Sequence, residues 1–442
     1  MSAQISRFRS LSRALRDTKL DDIIDRILIA LVLSKVFILD FLGYGGIAGL
    51  LAVILIAYRL CFGGWRIPLP LYVLVALGAV LTALSYLSGI QNPHIAQYNI
   101  SSITLPVLYV AYFALLSEMN PEAIDLKRSG VTTFFNLIYF VNVFVMLRQV
   151  FVPYSIVAAA PEGGEIGFYQ DLISGLFMYA STHAVTYYSV FVALQNLNEF
   201  HQSNGYRKAV YAIVFVLVVL TTLWIATLND NKACYVFLPI GVALFYAQGL
   251  TAPQLMRVAK VLVLGVAVVT LLVLLYVQVP QFAESVDENL FVVFDIVQTS
   301  RGAGSSVEGS GERIAIIQYA LQLPSTWCFG LGSGTATLQQ PYFEGFQHFG
   351  QADFGSIVIL FGAWFFVLLT TLYIYLLSRD ITGPRKYVLA TSLTIFVVVS
   401  SVYAQCFSRL NNVICLILVC RALADRWHQV ARQASMEKGL TS

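Results

Sequence analysis

The sequence predicts an all-α, polytopic integral membrane protein with about twelve transmembrane helices and one large outer loop containing amphipathic helices. Three observations predict it. The 442 residues are 58% hydrophobic and only 12% charged, whereas soluble chains carry about 25% charged residues; the mean hydropathy is +0.75. Apolar runs of near-span length recur along the whole chain. Lysine and arginine gather in alternate connections between those runs, which is how an oriented helical bundle is written.

The elements follow in order. The first 26 residues form a basic N-terminus with Arg7, Arg9, Arg13, Arg16, Lys19 and Arg26. No small-residue cleavage site follows a short apolar stretch there, so no removable signal peptide is expected. Apolar runs then occupy 27–42, 45–62, 68–88, 100–117, 131–152, 173–197, 210–228, 233–248 and 261–279, which place nine spans in 27–279. Three more, at 355–377, 388–404 and 411–424, fill 355–424, ahead of a short tail at 425–442. Each run must be helical, because lipid offers no partner to an open backbone.

Orientation comes from the basic residues. With the N-terminus inside, the cytoplasmic connections hold Arg59 and Arg66, Lys127 and Arg128, Arg207 and Lys208, and Arg257 and Lys260. They also hold Arg379, Arg385 and Lys386, and the tail holds Arg421, Arg426, Arg432 and Lys438. Twelve spans with both termini cytoplasmic satisfy the count. The net charge of +3 is small and scattered, so nucleic acid is not an expected partner. Six cysteines (Cys61, Cys234, Cys328, Cys406, Cys415 and Cys420) have no CxxC spacing and fall mostly in apolar runs. There a thiol behaves as a small hydrophobe, which speaks against zinc or a disulfide framework.

Six cations depart from the pattern: Lys35, Arg148, Lys232, Arg301, Arg313 and Arg409 fall on the outer half of a span or in an outer loop. Singly, each reads as a snorkelling end or a local ion pair with an acid such as Asp40 or Asp230. As a set they read as an anion-binding site at the outer face.

The connection at 280–354 is far longer than the others, and such loops are usually functional. Phe282 to Val297 alternates acids with Val286, Leu290 and Phe294, the pattern of an amphipathic helix at the interface. A Gly/Ser stretch from Arg301 to Gly311 follows, then a second helical segment from Glu312 to Leu323, ended by Pro324. Gly330-Leu-Gly332-Ser-Gly334 is a tight turn whose amides suit a phosphate, although no βαβ unit surrounds it to make a dinucleotide site. Gly302 to Glu312 lacks the Lys-Ser/Thr pair of a nucleotide loop.

Glu344, His348 and Asp353 are the ionisable residues just ahead of the tenth run, either solvated loop-end groups or proton acceptors for a hydroxyl nucleophile. His183, beside Thr182 and Thr186, is a polar lining residue or a satisfied buried histidine. The five histidines make no metal-ligand cluster, and no cofactor is indicated.

The order of these features resembles the O-antigen polymerase and O-antigen ligase superfamily of polysaccharide-assembling membrane proteins. The stretches that carry the resemblance are Gly175-Leu-Phe-x5 reaching to Thr182 and Thr227-Leu-Asn-Asp-Asn-Lys232. They continue with Arg313 heading its amphipathic segment, Pro324-x5-Gly330-Leu-Gly332, and Asp353-Phe-Gly355 through Leu360-Phe-Gly362. The resemblance implies a metal-independent glycosyltransferase of a bacterial cytoplasmic (inner) membrane, acting on undecaprenyl-pyrophosphate-linked oligosaccharides. It implies membrane lipids as surroundings and a flippase and chain-length regulator as partners. Arg148, Lys232, Arg313 and Arg409 would hold the pyrophosphate, whose developing charge needs cations. Asp353 resembles the Asp-x-Gly of polymerases, and His348 lies near the place of the ligase histidine, so the base stays open between them. The expected function is a Wzy-type polymerase of O-antigen, capsule or exopolysaccharide. The alternatives are a ligase transferring glycan to a lipid A core or protein and, from another class, a secondary transporter.

Overall fold

A computed structural model describes residues 20–62, 68–89, 92–119, 129–151, 173–177, 182–228, 233–250, 254, 319–320, 324–338, 352–379 and 386–440. Among these residues the regular structure is helical throughout, with no strand. Helix α1 covers 20–34 and continues into a π-turn at Lys35–Leu39. Helices α2 (Gly45–Phe62), α3 (Leu69–Ser88), α4 (Pro93–Met119) and α5 (Ser129–Phe151) follow. After a 3-10 turn at Gly175–Phe177 come α6 (Thr182–Gln202), α7 (Gly205–Leu228) and α8 (Ala233–Ala247). Beyond a second 3-10 turn at Pro324–Trp327 lie α9 (Asp353–Phe361), α10 (Ala363–Leu377), α11 (Lys386–Tyr403) and α12 (Leu410–Leu440).

Six described helices, α2, α3, α4, α5, α7 and α11, are long and apolar enough to cross a membrane. Their surfaces carry exposed Leu, Ile, Val and aromatic side chains, such as Leu50, Val75, Phe144 and Leu220. That is the face a helix turns to lipid rather than to water. At the centre stands α6, buried on every side from Thr182 to Glu199 and packed against α5, α7, α8 and α12.

Because it faces protein all round, α6 can carry polar side chains that bond across helices. Asn136 and Asn196 exchange amide bonds at 3.1 and 2.7 Å, Gln195 donates to Thr132 at 3.0 Å, and Thr132 donates to Glu199 at 3.1 Å. Asn198 donates to the Ala422 carbonyl of α12 at 2.9 Å.

Three apolar runs differ from simple helices. In the sixth run, 173–197, Gly175 sits at φ +62° and α6 begins only at Thr182. The amides of Gly175 and Leu176 turn instead to Gln149 Oε1 and Asn142 Oδ1 of α5, at 2.9 and 2.6 Å. The tenth run breaks at Gly362, φ +92°, between α9 and α10. The last run lengthens: α12 has 31 residues, about 46 Å of helix, and runs on through the expected tail. The ninth run and the two amphipathic segments of the long connection lie outside the described residues, apart from a helical Tyr319–Ala320.

Candidate functional site

Between α11 and α12 the chain leaves helix for Ala404 to Arg409, a polar interruption (Gln405-Cys-Phe-Ser-Arg409) flanked by two apolar runs. Asp353, the first residue of α9 and fully buried, holds this interruption. Its carboxylate accepts the Phe407 and Ser408 amides and the Ser408 hydroxyl, while its own amide donates to the Ala404 carbonyl at 3.1 Å. A buried carboxylate demands such donors. These are neutral donors, so the charge is stabilised without a direct ion pair. Arg409, next along, lies within electrostatic reach of Asp353 and of Tyr98 from α4. Two predicted site residues are thus brought together, Asp353 and Arg409.

Lys35 stands beside them through Asn411. Its ammonium bonds both Asp40 oxygens, at 2.8 and 3.1 Å, and Asn411 Oδ1 at 3.2 Å; Asn411 donates back to Asp40 at 2.7 Å. Gly45 makes room for this pair, since a Cβ there would collide with the Asp40 carboxylate. Lys35 therefore takes the local reading, an ion pair with Asp40. The π-turn delivers it to the first turn of α12.

The glycine-rich turn has a different employment from the one its amides suggested. Leu331 N–H donates to the Ile359 carbonyl at 2.7 Å, Gly332 N–H to the Leu360 carbonyl at 3.1 Å, and Ser333 N–H to the Ser85 carbonyl at 3.0 Å. Those three amides are taken, so they hold no phosphate here. Their partners explain why: the break at Gly362 strips Ile359 and Leu360 of helical donors. Ser85 Oγ also donates to Leu360 at 2.9 Å, and Asn99 clamps the segment by bonding Ser333, Ala336 and Leu338 at 2.6–2.8 Å. Glycine is required at 332, at φ +106° and against the Gly89 backbone.

Arg148 sits exposed near the C-terminal end of α5, in a helix that packs on the Gly175–Phe177 turn, α6 and α7. Among the described contacts none joins it to Asp353. Lys232, Arg313, His348 and Glu344 lie outside the described residues, as does Arg301. His183 is buried at the start of α6, one of its polar residues against neighbouring helices. Among the described residues no group of His, Cys, Asp and Glu is placed to hold a metal. Sequence reading missed Ser408 and Asn411, although the polar interruption 405–412 between two apolar runs was the available signal.

Two of the hollows among the described residues are apolar and open on the flank of the bundle. One, about 620 Å³, lies between α3, α4 and α10 around Gly78, Thr82 and Leu369. The other, about 290 Å³, is bounded by Phe113, Val131, Ile417 and Arg421. Compared with family models, curated proteins and solved structures, the chain matches none.

Proposed function

We propose that the chain is a polymerase of lipid-linked oligosaccharide repeat units (O-antigen, capsule or exopolysaccharide), a metal-independent glycosyltransferase at the outer face of a bacterial cytoplasmic membrane. In this reading twelve helices span the membrane, with both termini cytoplasmic. The donor is a glycan on undecaprenyl pyrophosphate, and the acceptor is a sugar hydroxyl of the next lipid-linked unit. The acceptor oxygen bonds the anomeric carbon as the bond to the pyrophosphate oxygen breaks. The leaving pyrophosphate keeps that electron pair, and the hydroxyl proton passes to a base.

The observation that supports the reading best is the helix interruption held by Asp353 and ending at Arg409. Asp353 lies fully buried with its lone pairs engaged by Phe407 and Ser408. It suits positioning of the Arg409 segment better than taking a proton, which leaves His348 as the base. Arg409, with Lys232, Arg313 and Arg148, meets the developing pyrophosphate charge.

The test is a polymerisation assay in nanodiscs with EDTA and lipid-linked repeat units from the native cell. A glycan ladder that is lost in Arg409→Gln and His348→Ala is the expected result. Transfer only after a lipid A core is supplied would move the assignment to a ligase. The broken helices also suit a secondary transporter; solute uptake by proteoliposomes with no glycan transfer would favour that class instead.

A further inference from the structure

Midway along α12, about 25 Å from Arg409 along the helix, stands an arginine with no counter-ion among the described residues. Arg426 is 9% exposed. Among the described residues its one side-chain hydrogen bond is a long one, Nη1 to Gln429 Oε1 at 3.4 Å, and its Nε has no partner there. The guanidinium lies over the Phe245 ring of α8, 5.1 Å from the centroid. The neighbouring acid, Asp425, is engaged with Arg421 at 3.5 Å. Among the described residues the group that favours its charge is the phenol of Tyr246, not a carboxylate.

Two more nitrogen groups converge there. His201, from the end of α6, lies tilted against Phe245 and edge-on to Tyr246, and its buried Nε2 has no hydrogen-bond partner among the described residues. Lys208 of α7 lies over Phe200, 4.8 Å from the ring centroid. Burial and then the charges of Arg426 and Lys208 hold the His201 imidazole below its ordinary range, the mark of a locally positive field. Gly249 lies beside the Nη2 nitrogen: a Cβ there would stand 3.6 Å from it, in ordinary contact.

A buried guanidinium without an anion is costly, because burial removes its hydration and nothing replaces it. The Phe245 ring beneath it fixes its direction, leaving N–H groups for a planar or tetrahedral oxyanion. We propose that Arg426, His201 and Lys208 form a phosphate-binding site where α6, α7, α8 and α12 meet, at the end of the bundle away from Asp353. The phosphate is either a lipid headgroup at the membrane boundary or free phosphate from solution. The site is independent of the polymerase reading, since it shares no residue with it.

The experiment measures the thermal midpoint of purified protein in nanodiscs of a neutral, phosphate-free galactolipid alone, of the same lipid with inorganic phosphate added, and with phosphatidylglycerol included. Wild type gains stability in at least one anionic condition, and Arg426→Gln needs roughly tenfold more of the anion for the same gain, as loss of a charge-assisted contact requires. A response to inorganic phosphate in the neutral membrane identifies the free ion; a response to phosphatidylglycerol alone identifies the headgroup. In the neutral, phosphate-free membrane Arg426→Gln is at least as stable as wild type, because an unpaired buried charge is gone. Arg426→Lys and Lys208→Gln keep the packing on the rings and give graded losses, should Arg426→Gln fail to fold. No response of wild type in either arm, or equal responses of wild type and variants, overturns the proposal.

Discussion

The α1–α2 hairpin carries an ion pair at each end, and the two are built differently. Toward Asp25, Arg59 donates a two-pronged bond to that carboxylate at 2.8 and 2.9 Å, reaches Asp21 at 2.8 Å, and Tyr112 adds a bond to Asp25 at 2.8 Å. Both partners are nearly inaccessible. Toward Lys35, a lysine meets one carboxylate and one amide, with side chains 11% and 17% exposed. A guanidinium fork fixes angle as well as distance, while an ammonium is a point charge on a flexible stem. The first cluster locks α1, α2 and α4. The second ties the hairpin to the interruption before α12, where Asp353 relies on neutral donors and Arg409 follows.

Substitutions should separate these roles. Arg59→Ala has the largest expected effect, about 3–5 kcal/mol of stability, because Asp25 stays buried without its cation. Denaturation in detergent measures it, and a loss below that of Asp353→Asn would invert the comparison. Asp353→Asn should cost about 1–3 kcal/mol, as an amide nitrogen now faces donors that need an acceptor. Its loss of glycan transfer should exceed what its melting curve explains; parallel losses would leave Asp353 merely structural. Lys35→Met should cost least, about 1 kcal/mol, because Asp40 keeps its Asn411 bond and some access to water. Transfer that survives Lys35→Met unchanged would confine that end's function to Arg409.

The helical membrane class was legible from composition, and most helix positions from the apolar runs: Gly45–Phe62 and Ala233–Ala247 fall within a residue of theirs. The Lys35–Asp40 pair was legible as a local option because both residues lie on one short segment. Breaks were harder to see. Gly175 and Gly362 interrupt runs whose hydropathy is continuous, and what makes the interruptions tolerable is distant: Asn142 and Gln149 for one, Leu331 and Gly332 for the other. Arg426 was counted only as one more cation of its flank, since nothing around it in the sequence marks an arginine that is buried. Nor does spacing along a chain show that Asp353 and Ser408 meet.

The cap on the Gly362 break also bears on how the protein is made. The groups that serve the Ile359 and Leu360 carbonyls come from Ser85, Leu331 and Gly332, and Asn99 holds that turn in place. All of them precede α9 in the chain. When α9 and α10 leave the insertion machinery, every donor for the exposed carbonyls has already been synthesised. The interrupted helix can therefore dock as it emerges, without a stage in which bare backbone must wait in lipid for a later segment.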